Sequence, residues 1–159
     1  YLRFLLQELK PMVDGRWRTD PGRSCIAGSS MGGLISFYAA WRHPDVFEGA
    51  ACLSPAFVER YGTESFRMVE ADREHLPDLK LFLSCGGAAG LEAELLGGTL
   101  QMADLLKSVG FPDDRMTVRI ESWAEHNEEA WARMTPHWLR FLFGSPQLPE
   151  ADPGMERTE

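Results

Sequence analysis

The sequence is poor in cysteine, in long apolar runs and in clustered positive charge, and each shortage removes a class of function. Cys25, Cys52 and Cys85 are its 3 cysteines. Three thiols cannot all pair, and none forms a close Cys-x-x-Cys, so no metal site or disulfide framework is expected of them. Each falls in a short apolar, strand-like run, where a reduced thiol behaves as a small hydrophobe. Reduced thiols favour a reducing compartment, so a cytoplasmic location is expected. No apolar run approaches the roughly 18 residues that a membrane helix needs, and no membrane partner is expected. Lys and Arg number 16 against 24 Asp and Glu, a formal charge of -8. The basic residues do not cluster, and such a surface repels phosphate backbones, which excludes nucleic acid as the expected partner.

What is present is the make-up of an ordinary globular protein, 44% hydrophobic and 25% charged in 159 residues. That length suits one domain with a true core, expected over residues 1–143. Beyond it, Gly144-Ser-Pro-Gln-Leu-Pro-Glu-Ala-Asp-Pro-Gly is rich in proline and acid. It holds too little apolar surface to offset its ordering entropy, so residues 144–159 are expected to form a flexible tail.

Along the domain, Leu2, Leu5, Leu6, Leu9, Met12 and Val13 recur at helical spacing and predict a helix over residues 2–13, turning at Asp14-Gly15. Residues 24–27 form a short apolar run, expected as a strand covered on both faces and ending at Gly28. Met31, Leu34, Ile35, Phe37, Tyr38 and Trp41 then mark a deeply buried helix, closed by His43-Pro44. A second strand is expected over 47–53, a third over 79–84 and a fourth over 116–120. Residues 56–78 show no clean period and read as an insertion or cap. Leu91, Leu95, Met102, Leu106 and Val109 form the stripe of a long helix, and a last helical region spans residues 128–143 with a restart at Thr135-Pro136. Strands alternating with helices predict an α/β fold, a mainly parallel sheet with crossover helices.

Gly28-Ser29-Ser30-Met31-Gly32 matches G-x-S-x-G. By composition alone that pattern arises about once in twenty chains of this size, so its context decides. A buried strand leads in and an apolar helix leads out, the setting of a nucleophile elbow. There the serine occupies a strained turn, and Gly28 and Gly32 supply the required lack of bulk. The helix starting beneath Ser30 favours negative charge at its N-terminus, and the Met31 N–H is placed to donate to an oxyanion. A serine nucleophile needs a base. His43 ends a helix, His75 sits among charged residues and His137 lies behind Pro136, all structural or surface settings. His126 lies in the polar loop Ser122-Trp-Ala-Glu-His-Asn-Glu, at the carboxyl end of the sheet where ligands of open α/β folds collect.

Phe4-Leu-Leu-Gln-Glu-Leu-Lys-Pro, Ile26-Ala-Gly-Ser-Ser-Met-Gly-Gly-Leu, His43-Pro-Asp-Val-Phe, Leu53-Ser-Pro-Ala-Phe and Glu125-His-Asn-Glu-Glu-Ala-Trp together give a resemblance. Over residues 1–144 the chain resembles the esterase family that includes enterochelin esterases, S-formylglutathione hydrolases, feruloyl esterases and mycolyltransferases. The resemblance implies an α/β-hydrolase fold, a small-molecule ester as substrate, no cofactor or metal, Ser30 as nucleophile and His126 as base. The family's acid is commonly three residues past the first loop glycine after the third strand, which here is Ala89. Glu92 stands where the mycolyltransferases place theirs. Glu94 is the next candidate, and a Ser–His dyad the alternative; for both acids a place in the first turn of a helix is itself stabilising. Family members also carry earlier strands and a loop giving the second oxyanion N–H. The expectation is therefore a C-terminal part of a larger esterase, lacking the N-terminal strands and poorly soluble or inactive alone. A catalytically inactive binding module and an acyltransferase are the other readings.

Overall fold

The computed structural model describes residues 1–144, so the expected tail, apart from Gly144, lies outside the described residues. The chain opens with α1 (Leu2–Phe4), a π-helical turn (Leu5–Leu9) and α2 (Lys10–Arg16). This helical run passes through the expected turn at Asp14-Gly15. Pro11 lies inside this run, two residues past the π-helical turn, and Lys10 Nζ pairs with Asp14 at 2.6 Å one turn on.

Four strands follow: β1 (Cys25–Ser29), β2 (Gly49–Leu53), β3 (Lys80–Gly86) and β4 (Met116–Glu121). They form one sheet in sequence order with every neighbouring pair parallel. Parallel neighbours require crossovers, supplied by α3 (Met31–Arg42), α4 (Glu59–Ala71) and α5 (Leu91–Ser108), and α6 (Glu128–Phe143) follows β4. Strand alternation sorts the core into two layers. Cys52, Leu81, Leu83 and Cys85 pack with Phe37, Trp41, Met102 and Leu106, whereas Ala51, Leu53 and Phe82 pack with Met134 and Leu142 of α6.

Three expectations change. The strand covered on both faces is β2, buried at every position; β1 is half-buried with Ala27 exposed, since it has a strand neighbour on one side only among the described residues. The stretch read as an insertion contains α4. Its buried face is Gly62, Ser65, Met68 and Val69, half of it too small or too polar to register as an apolar stripe. Finally, α6 has no restart at Pro136. The proline lies inside one continuous helix on an exposed position, where water can take the carbonyl it leaves unpaired, and the helix is capped instead by Asn127, whose side chain accepts from Ala130 N at 2.9 Å.

Small residues also set how closely the crossover helices approach. A Cβ on Gly98 of α5 would overlap the Phe57 carbonyl oxygen, which is backbone and cannot swing aside. Helix propensity favours alanine over glycine by about 1 kcal/mol, while forced overpacking costs about 1–3 kcal/mol or more. Gly98→Ala is therefore expected to destabilise by about 2 kcal/mol, read by chemical denaturation, because the overlap outweighs the propensity gain. An equal or higher stability would contradict the close approach.

Candidate active site

Ser30 sits between the end of β1 and the first residue of α3 with φ 56° and ψ -121°, a conformation that a residue with a side chain avoids. Such strain costs about 1–3 kcal/mol and persists only where the surroundings over-determine it. Here they do. Ser30 N donates to Leu53 O at 2.9 Å, and Ser30 O accepts from Leu34 N and Ala56 N at 3.1 Å each. The turn is tight enough that a Cβ on Gly28 would overlap the Gly32 backbone. The second steric demand falls on Gly33, where a Cβ would lie 3.1 Å from Gly28 O and from Pro55 Cα; the side-chain position of Gly32 is open. The bulk-free positions are thus 28 and 33, because it is the backbone of Gly32, not a side chain on it, that meets Gly28. Met31 opens α3, so its N–H belongs to the free amides of the helix N-terminus.

At the other end of the constellation, His126 Nδ1 lies 2.7 Å from Glu92 Oε2. Glu92 comes from the first turn of α5 and is 1% exposed. Its Oε1 accepts from Gly86 N at 2.6 Å and from the Ser54 hydroxyl, with the Cys85 thiol at 3.5 Å. Burial on its own would raise the pKa of this carboxyl, but the donors from Ser54, Gly86 and His126 outweigh it and hold Glu92 below the usual carboxylate range. Burial, reinforced by the Glu92 charge, pushes the Cys85 thiol up to about 12, so it stays a neutral donor. An ionised carboxylate can only accept, so the Glu92–His126 contact places an imidazole proton on Nδ1; in the neutral imidazole the Nε2 lone pair is then free. Among the described residues no hydrogen bond joins His126 to Ser30.

The remaining candidates lie elsewhere. Glu94 is turned toward α4, 3.4 Å from Arg60, and Ala89 is exposed in the β3–α5 loop. His43 caps α3, His75 is exposed, and His137 Nδ1 lies 3.3 Å from Arg119. Two residues that the sequence reading did not single out belong to the cluster: Ser54, and Trp131, whose indole N–H donates to Ser54 Oγ at 3.0 Å and whose ring meets His126 edge-on at 4.9 Å. Their signal was a serine and proline closing a buried strand, and an aromatic in the first turn of the helix that follows the loop histidine.

A crevice of about 250 Å³ opens beside Met31 between α3 and α4, lined by Leu34, Ile35, Tyr38, Tyr61 and Glu64. A larger groove of about 580 Å³ follows β1 between α2 and Phe143 and contains none of the candidate catalytic residues. No group of three His, Cys, Asp or Glu side chains arranged to hold a metal ion occurs among the described residues, and no described helix is long and apolar enough to cross a membrane.

The model of the family described as Putative esterase matches residues 1–141. Uncharacterized protein YbbA of Bacillus subtilis (strain 168) is 26% identical over 156 residues, covering 91% of this chain and 59% of that protein. Among solved structures, a ferulic acid esterase is similar at TM-score 0.74 and 22% identity, over 89% of this chain and 60% of that one. S-formylglutathione hydrolase FrmB from Staphylococcus aureus gives TM-score 0.74 at 20% identity over the same shares. Enterobactin esterase FES from Shigella flexneri gives 0.75 at 19%, over 89% of this chain and 38% of that one. The chain spans about three-fifths of the length of the curated relative, and the solved structures share its α/β-hydrolase fold. Matched by the family model from residue 1 to residue 141, the chain belongs to the Putative esterase family.

Proposed function

We propose that the protein is a serine carboxylic-ester hydrolase acting through an acyl-enzyme on Ser30. The observation that carries this reading is the strained Ser30 at the head of α3, accompanied by a histidine whose Nδ1 is held by a buried carboxylate. Ser30 Oγ attacks the ester carbonyl while His126 Nε2 accepts its proton. Glu92 keeps the imidazole in the tautomer that can do so and stabilises the imidazolium that forms. The oxyanion of the tetrahedral intermediate accepts from the Met31 N–H, with the N-terminal end of α3 adding to the favourable potential. His126 then returns the proton to the leaving alcohol, and water activated by the same base releases the acid. The apolar crevice beside Met31 suits a small acyl or aryl group. No metal or cofactor has a step in this scheme, and the unpaired Cys25, Cys52 and Cys85 fit a reducing, cytoplasmic setting.

The test is hydrolysis of p-nitrophenyl acetate by the intact protein. His126→Gln is expected to lower the rate by on the order of 10³-fold or more, because nothing is left to take the Ser30 proton. A His126→Gln variant with an unchanged rate would overturn the assignment of the base.

A further inference from the structure

Ser54 is buried at 2% exposure and takes φ 43°, in the left-handed region where glycine is the inexpensive choice. A serine kept at such a position calls for a use of its hydroxyl. The hydrogen bonds around it have only one consistent polarity. An indole N–H can only donate, so Ser54 Oγ accepts from Trp131 Nε1 at 3.0 Å. Its one hydroxyl hydrogen is then directed at Glu92 Oε1. The Gly86 N–H donates to that same oxygen at 2.6 Å, so Oε1 is engaged by donors and Oε2 is the atom turned to His126 Nδ1 at 2.7 Å. The backbone supports the arrangement from beneath, Ser54 N donating to Ser84 O across β2 and β3.

We propose that Ser54 and Trp131 are positioning residues for the acid–base pair. They form a relay of fixed direction, indole N–H to serine hydroxyl to Glu92, that aims the second carboxylate oxygen at Nδ1 and so selects the His126 tautomer with a free Nε2. This inference rests on the proposed esterase reading for its consequence in catalysis, but its structural content stands apart from it. Trp131 serves the pair twice, through its N–H to Ser54 and through the ring edge that meets the imidazole. The other titratable groups near the pair are Cys85 on β3, 3.5 Å from Oε1, and Glu121 at the end of β4, whose Oε2 lies 3.8 Å from Arg133 Nε. The thiol is a further donor to Oε1 beside Ser54 and Gly86, while Glu121 lines the same small cavity without a hydrogen bond to the relay.

The deciding variant is Ser54→Gly. It removes the hydroxyl and relaxes the positive φ, so a purely conformational role for Ser54 predicts full or improved stability with His126 unaffected. The relay predicts a loss instead. Hydrogen bonds to a charged group contribute about 1.5–3 kcal/mol, so kcat for p-nitrophenyl acetate should fall by roughly 10- to 100-fold with KM little changed. In ¹⁵N-histidine-labelled protein, two-bond correlation spectra should show His126 as the Nδ1–H tautomer in the wild type and a mixture in Ser54→Gly. Trp131→Phe, which keeps an aromatic edge and removes the N–H, should shift the tautomer in the same direction to a smaller extent. An unchanged His126 tautomer in both variants overturns the relay, whatever the activity. A wild type without Ser30-dependent turnover overturns the esterase reading, while the tautomer comparison still decides the relay.

Discussion

Ser30→Ala is expected to lower p-nitrophenyl ester hydrolysis by on the order of 10³-fold or more while leaving the fold intact, since alanine fits wherever serine fits. The size of the effect follows from chemistry, not from packing. Without the hydroxyl no acyl-enzyme can form, and what remains is water attacking an ester held near the Met31 N–H. The fold should tolerate the change because the turn is held by backbone groups, Ser30 N to Leu53 O and Ser30 O to Leu34 N and Ala56 N, all of which alanine retains. Alanine meets the same strain at φ 56° as serine does, so the melting temperature should stay close to that of the wild type. A variant that keeps most of its turnover would remove Ser30 from the mechanism, and one that fails to fold would show that the hydroxyl has a structural partner.

The second large effect is expected of Glu92→Gln. A glutamine amide has the shape of the carboxyl group, but its NH₂ must donate where the carboxylate accepted. It cannot take Gly86 N–H and Ser54 O–H on one atom and His126 Nδ1–H on the other without setting a donor against a donor. The imidazole then turns its proton to Nε2 and loses its function as a base, for a fall in kcat on the order of 10³-fold. Stability should respond too, with a sign that pH reveals. The carboxyl of Glu92 is held below its ordinary range in the folded protein. Its charge therefore stabilises the fold above the unfolded-state value, and that stabilisation is lost as pH falls through the lower folded-state value. Wild-type melting temperature should drop on acidification below about pH 4, and the contribution of this site to the drop should vanish in Glu92→Gln. A variant with full activity would place the acid elsewhere or favour a Ser–His dyad.

The strained turn at Ser30 was legible in the sequence because its parts are consecutive: a short apolar run, glycines on both sides of Ser30, and an apolar helix. The pairing of Glu92 with His126 was legible only as one of several choices. The two residues are far apart in the chain, and what selects Glu92 over Glu94 is the facing of α5, which buries the first and turns the second to Arg60. Helix α4 escaped notice since its buried face carries Gly62 and Ser65, where close backbone approach does the work that apolar bulk does elsewhere. The same physics moved the second tight glycine from 32 to 33. Pro136 misled because a proline that ends most helices is tolerated on an exposed face when the turns before and after it are held by packing, here Met134 and Leu142 against the sheet. Ser54 was legible only as part of the run Leu53-Ser-Pro-Ala-Phe; its role depends on a positive φ and on partners 38 and 77 residues away.

The most direct test of the account is to treat the protein with an alkyl fluorophosphonate, which reacts only with an activated serine, and to locate the adduct by peptide mass spectrometry. A single phosphonylated residue, Ser30, is expected, with labelling abolished in Ser30→Ala and strongly slowed in His126→Gln and Glu92→Gln. Folded wild-type protein that takes up no label, or carries it on another residue, would contradict it.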